Sequence, residues 1–156
     1  MNSIFLRAVC LLAGGLLLFG SQPQAWAQDA NRDTAATLSE ARDIVDRLGK
    51  RTGEFREEFE KAVEHSLIDG SKLEDRAKKR AADLHESAKK LRDVFHDKKD
   101  KNNPAVRQQV DKTLAAGADV NRVMASMRFT EKLHRDWDLV RSDLNALAQI
   151  YSLPPL

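Results

Sequence analysis

The sequence has a single cysteine, Cys10, and it lies inside an apolar run near the amino terminus. Beyond that run no thiol remains to form a disulfide, to act as a nucleophile or to ligate a metal as thiolate. A c-type haem attachment, which needs two cysteines ahead of a histidine, is excluded as well. Aromatic residues are scarce at 6%, while charged residues reach 32%, a mix that suits a solvated helical protein better than a sheet protein. No Gly-x-Ser-x-Gly elbow is present to present a nucleophile. Gly49 and Gly53 fall within helical pattern and do not follow a strand, so no loop is set to cradle phosphate. Charge of one sign is also missing: the net charge is +2 over 156 residues, and that balance calls for neither nucleic acid nor a membrane surface. Neither a long low-complexity tract nor an internal repeat is visible.

What is there begins with a processing signal. Arg7 is the one charged residue before Gln28. The apolar run Ala8–Phe19 that follows is too short to cross a bilayer comfortably. Ala25-Trp26-Ala27 then places small residues at −3 and −1 of a cut before Gln28. We read residues 1–27 as a cleavable signal peptide and the product as periplasmic or secreted. An uncleaved anchor helix is the competing reading, and Gly14, Gly15, Gly20 and Pro23 weaken it. Arg7-Ala8-Val9 makes a poor lipobox, and Cys10 sits within the apolar run, not at its end, which argues against lipidation. Cleavage removes the only cysteine and leaves a chain long enough to bury a core without staples.

Residues 28–36 are polar and read as a flexible leader, 37–151 as the helical domain and 152–156 as a tail. Within the domain, apolar residues recur at steps of three and four. A first helix over 37–69 carries Leu38, Ala41, Val45, Leu48, Thr52, Phe55, Phe59 and Ala62 on one face, with a kink or break foreseen at Gly49–Gly53. Ser71 and Glu74 fit a capping box before a second helix over 72–98. Ala77, Ala81, Leu84, Ala88, Leu91 and Phe95 keep its seven-residue repeat, and the alanines admit a close neighbour. Asn103 can cap a third helix that starts at Pro104 and runs to Met127, with Val106, Val110, Thr113, Gly117, Val120, Met124 and Met127 on its face. A fourth helix over 131–151 carries Leu133, Trp137, Val140, Leu144, Leu147 and Tyr151, and Pro154 and Pro155 stop it.

The boundary between helices three and four rests on a phase slip, because extending the stripe beyond Met127 would bury Glu131 and His134. A single long helix is the alternative. Short connections favour an all-α, antiparallel four-helix bundle, although a/d spacing also fits an elongated coiled-coil dimer and so leaves open a homo-oligomer. Residues 28–71 hold 7 basic and 11 acidic residues, and 72–101 hold 11 basic and 7 acidic. Opposite signs help these two segments pair. The alternative is a basic face for an anionic surface, carried by Lys78-Lys79-Arg80, Lys89-Lys90 and Lys98-Lys99. Acidic residues interrupt it and only Phe95 interleaves, so nucleic acid is not expected as a partner.

Two carboxylate–histidine pairs, Asp93 with His96 and Glu131 with His134, have the i, i+3 spacing used in di-metal bundles. Their helical phase turns them away from the core, and no further inward carboxylates accompany them. They are weak metal candidates, and no cofactor is expected. His65 and His85 read as surface histidines, and Met124 and Met127 as core. Neighbouring carboxylates such as Glu57-Glu58 are not opposed across a cleft, and no enzyme is expected. If the core leaves Phe55, Phe59, Phe95 and Phe129 exposed, a holding chaperone or stress protein becomes the alternative.

The most distinctive stretch is Trp137 to Tyr151, which reads W-x-x-V-R-x-D-L-N-x-L-A-x-x-Y. Trp137, Leu144 and Tyr151 share a face, Arg141 can pair with Asp138, and Asn145 can bond across to another helix. It reads either as a core-anchoring helix or as a partner-binding face, with Trp137, Arg141, Asn145 and Tyr151 as the contact residues. The pattern resembles the terminal helix of many short, Sec-exported, uncharacterised bacterial helical proteins. That resemblance implies an envelope protein of similar architecture and implies no activity. The Leu-Thr-x-x-Gln repeats of periplasmic bundle chaperones are absent. The expectation is a non-enzymatic exported bundle that binds an envelope protein or surface, with no stable membrane span after cleavage.

Overall fold

The computed structural model describes residues 24–65, 71–98, 100 and 102–156, with side chains from 37 onward. All regular structure among them is helical: α1 (Gln24–Glu64), α2 (Lys72–Lys98), α3 (Pro104–Ser126) and α4 (Glu131–Ile150). The helices form a bundle in which α1 touches α2 and α4, and α3 touches α2 and α4, while neither diagonal pair is in contact. None of the described helices is long and apolar enough to cross a membrane. Of the stretch read as a signal peptide, 1–27, residues 1–23 lie outside the described residues, and 24–27 form the first turn of α1. The stretch read as a flexible leader, 28–36, is helical here, because α1 continues back to Gln24. The expected kink is also absent as a break: α1 runs through Gly49 and Gly53 without interruption.

The starts of α2, α3 and α4 each have a local cause. Ser71 Oγ accepts from the N–H of Leu73 and Glu74 at 3.2 and 3.3 Å, satisfying donors that the first turn of α2 leaves free. The Glu74 carboxylate meanwhile pairs with Lys78 at 2.6 Å. Asn103 Oδ1 accepts from Ala105 N–H at 2.9 Å, and Pro104 occupies the first turn of α3. The chain does leave the helix after Ser126, where Met127 is extended, and Thr130 Oγ1 accepts from Leu133 N–H at 3.3 Å to restart it. At the other end of α4, Ser152 turns left-handed (φ 51°) and Leu153 N–H reaches back to Ala148 O at 2.8 Å, closing the helix terminus.

The core lies on the shared axis of the four helices. From α1 it takes Ala41, Ile44, Val45, Leu48, Phe55, Phe59 and Val63, and from α2 the six residues of its seven-residue repeat. From α3 come Val106, Val110, Leu114, Val120 and Met124, and from α4 Leu133, Trp137, Val140, Leu144, Leu147, Ala148 and Tyr151. On α1 the stripe ends on Val63, while Ala62 is only half-buried.

Polar groups cross the bundle at defined heights. Between α1 and α2 these are Asp46–His96 (2.9 Å), Thr52–His85 (3.2 Å) and Glu64–Lys78 (2.9 Å). Between α2 and α3 they are Arg80–Asp119 (2.6 Å) and the amide of Gln109 donating to Ser87 O (3.2 Å). Between α3 and α4, Trp137 Nε1 donates to Asn121 Oδ1 (3.1 Å) and Arg107 donates to Tyr151 O (2.6 Å). Between α1 and α4, Arg47 and Arg51 both donate to Asp143 and Lys132 donates to Glu58. α3 and α4 touch least, and they approach where Gly117 leaves room: a Cβ there would lie 2.7 Å from Leu144 Cδ1 and 2.9 Å from Leu156 Cδ2.

Candidate functional site

A cleft of about 630 Å³ opens where the end of α1 meets the start of α4. The last turns of α1 supply Glu58, Lys61, Ala62 and His65. The extended link supplies Arg128, Phe129 and Thr130, and α4 supplies Lys132 and Leu133. Two local features build it. Met127 breaks the helical path, so Arg128 and Phe129 lie across the bundle end. Thr130 then restarts the chain as α4, which carries Leu133 into the core and leaves Lys132 outside.

The floor is apolar and aromatic. The Phe129 ring lies half-buried, 5.3 Å from that of Phe59, and a file of rings continues inward through Phe55 to Trp137 at 5.4 Å per step. Such tilted ring pairs fix one another's orientation beyond what area burial provides. His134 meets the outer edge of Phe129 at 6.5 Å.

The rim is cationic. Glu58 accepts from Lys132 at 3.0 Å and from Lys61 at 3.3 Å, and these two bonds hold its carboxyl below the usual carboxylate range. The bond to Glu58, with Asp136 as second acceptor, pushes the Lys132 ammonium above its ordinary value. Two lysines thus share one carboxylate, and Arg128, which lines the same cleft, is exposed with no ion pair among the described residues. The first turn of α4 adds the positive end of a helix dipole to the same rim. A smaller cleft of about 300 Å³ adjoins it, shares Glu58 and Lys132, and is dominated by Glu54, Glu57 and Asp136 beside the exposed Leu139.

The structure scatters the metal candidates. Asp93 and His96 lie exposed on α2, Glu131 and His134 exposed on α4, and these two helices do not touch. His96 is engaged by Asp46 at 2.9 Å and Glu131 by Arg135 at 3.7 Å. Among the described residues no group of three His, Cys, Asp or Glu converges on one point.

Of the residues offered as a partner-binding face, Trp137 and Tyr151 turn inward, and Arg141 and Asn145 are partly buried. Trp137 is 2% exposed and Tyr151 5%. Arg141 is half-buried and donates to Asp138 at 2.8 Å. Asn145 was expected to bond across to another helix; instead its Oδ1 accepts from the backbone of Leu156 at 2.8 Å and ties down the tail. Phe55, Phe59 and Phe95 are buried, so of the four phenylalanines only Phe129 reaches the surface. His85, read as a surface histidine, is partly buried against Thr52 with Gly53 beneath its ring. Burial, and then the nearby charge of Arg56, push its imidazole below its ordinary pKa.

Sequence reasoning passed over Lys61, Arg128 and Lys132, because each lies off the apolar stripes. The one local signal was the Arg128-Phe129 pair in the link between two stripes that do not share a phase. Comparison with known proteins finds no matching family model, no matching curated protein and no matching solved structure.

Proposed function

We propose that this chain is an exported, non-enzymatic, antiparallel four-helix bundle that binds an envelope protein or surface, and that the partner docks at the cleft between the end of α1 and the start of α4. The observation that carries this reading is the combination found there. An aromatic floor reaches the surface through Phe129, and Arg128 stands beside it without an ion pair among the described residues. Elsewhere on the described surface the large exposed apolar residues are the isolated Leu73 and Leu139, which form no comparable patch.

The antiparallel arrangement is supported by the cross-helix bonds, whose residue numbers run in opposite directions in every touching pair. Export is supported by Arg7, the apolar run after it and Ala25-Trp26-Ala27. The likeness of the Trp137–Tyr151 pattern to that of short Sec-exported bacterial helical proteins points the same way. A holding chaperone would need a broad apolar face, and Phe55, Phe59 and Phe95 are spent on the core.

The test is site-specific photocrosslinking in the native cell envelope. A photoreactive residue in place of Arg128 should yield one dominant, reproducible adduct. The same residue in place of Gln108, exposed on α3, should not. Adducts of equal yield at both positions, or none at Arg128, would sink the assignment of the docking end.

A further inference from the structure

We infer that the cleft takes a single amphipathic anion, an alkyl or aryl group ending in a carboxylate or phosphate, with the apolar part on Phe129, Ala62 and Leu133 and the charge at Arg128. This rests on the reading of the cleft as the docking site and names the chemistry it recognises. The volume, about 630 Å³, is that of an ordinary small-ligand site, and the floor is a built surface because Phe129 is held against Phe59 from beneath.

The charge pattern selects the sign of the guest. Lys61, Arg128 and Lys132 line the cleft with one carboxylate, Glu58; the two lysines share it, and Lys132 also holds Asp136 outside the lining. Arg128 is therefore the cation free to commit, and its planar fork suits a carboxylate or phosphate. A cationic or neutral guest would leave this excess uncompensated. A purely apolar one would place nothing against Arg128. A polyanion would exceed what one uncommitted guanidinium and two shared ammonium groups can balance.

The guest can come from two sources, a free small amphiphile or an anionic lipid presented on a membrane surface, and the experiment separates them. The protein purified from the cell envelope is titrated with octanoate as monomer and, in parallel, with octanol, while backbone amide signals are followed. Octanoate is expected to bind saturably and to shift the signals of Ala62, Phe129 and Leu133. The R128Q variant is expected to weaken it about tenfold, the effect of losing one hydrogen bond to a charged group. Octanol should bind more weakly than octanoate by a similar factor, and K90Q, at an exposed lysine on α2, should change nothing. Flotation with phosphatidylcholine vesicles, with and without phosphatidylglycerol, then assigns the source. Recruitment by the anionic vesicles that is lost in R128Q places the guest on a lipid surface, and octanoate binding without recruitment makes it a free molecule.

Octanoate binding that survives R128Q, that maps away from the cleft or that octanol matches overturns the inference, as does an absence of saturable binding. If octanoate fails while Arg128 still crosslinks to one envelope protein, the ligand class is wrong and the docking end stands. If both fail, the docking end falls too.

Discussion

The guanidinium of Arg51 donates to Asp143 Oδ2 at 2.7 Å, tying the first helix to the last through a carboxylate whose side chain is 4% exposed. Arg47, one turn earlier on α1, takes the other oxygen of the same group at 2.9 Å. The arrangement is asymmetric, because the two arginines retain 44% and 29% of their exposure and can turn to water. The carboxylate cannot. Removing the acid should therefore cost less than removing both bases. D143N is expected to lose about 1–2 kcal/mol, and the R47M/R51M double variant about 3 kcal/mol, since only the latter leaves a buried charge unpaired. Urea unfolding of the two variants checks this, and the reverse order would show that Asp143 reaches water in a way the structure does not allow.

Glycine substitutions should separate two positions that look alike in sequence. Gly49 and Gly117 both lie inside helices and both are buried. A Cβ at 49 would meet only Arg92, at 3.9 Å, whereas one at 117 would lie 2.7 Å from Leu144 and 2.9 Å from Leu156. G49A should stabilise by about 0.5–1 kcal/mol, the usual helical preference for alanine. G117A should destabilise by about 1–3 kcal/mol through overpacking and should loosen the tail that Asn145 holds. Thermal melts of both variants, with amide exchange at Leu156, read the two signs. A stabilising G117A would mean that α3 and α4 have room to part.

Much of the fold was legible because helical periodicity is a local property. All six residues of the α2 repeat are buried, and Asn103 sits at the start of α3 where spacing and side-chain chemistry put it. What escaped depends on which residues face one another across the bundle. Asp143 appears in the quoted pattern of the last helix as one more polar residue. Its burial makes sense only once Arg47 and Arg51, a turn apart on α1, lie opposite it. The end of the α1 stripe moved from Ala62 to Val63 because α1 packs against both α2 and α4 and so buries a wider arc than one partner would require. The cleft escaped for the same reason: Arg128 and Phe129 gain meaning only when the last turns of α1 lie beside them.

His85 makes stability depend on pH in a defined window. Its imidazole is pushed below the ordinary value, first by burial and then by the charge of Arg56, with Lys89 and Arg92 adding and Glu86 opposing. In the unfolded chain the imidazole has its ordinary value, 6.5. Between the lowered folded value and that one, the unfolded state holds the extra proton, so stability rises with pH there. The contribution of His85 is complete above pH 6.5 and is lost as the pH falls below it. H85Q keeps a group able to bond Thr52 but does not titrate, and it should flatten the dependence below that pH. Urea midpoints at a series of pH values test this, and an unchanged slope would assign the dependence to another group.

Tyr151 reverses the usual outcome of deleting a hydroxyl. It is the only tyrosine in the chain, it is 5% exposed, and its hydroxyl is buried without a hydrogen-bond partner among the described residues. Folding strips that group of water and returns nothing, so Y151F should be neutral or should stabilise by up to about 1 kcal/mol, whereas loss of a bonded tyrosine hydroxyl normally destabilises. Burial, helped by the negative charge of Asp100, also pushes the phenol up to about 12. Because the folded value lies above the unfolded value near 10, the neutral phenol favours folding up to that pH, and this contribution fades as the pH rises toward 12. Absorbance of the phenolate, followed as the folded protein is titrated to high pH, should rise only beyond the ordinary tyrosine range. It should fall back to that range once denaturant is added. If the phenol titrates normally in the folded protein, or if Y151F is clearly destabilised, the hydroxyl has a partner, and the end of α4 is packed against something more polar than the ring and Asp100 alone.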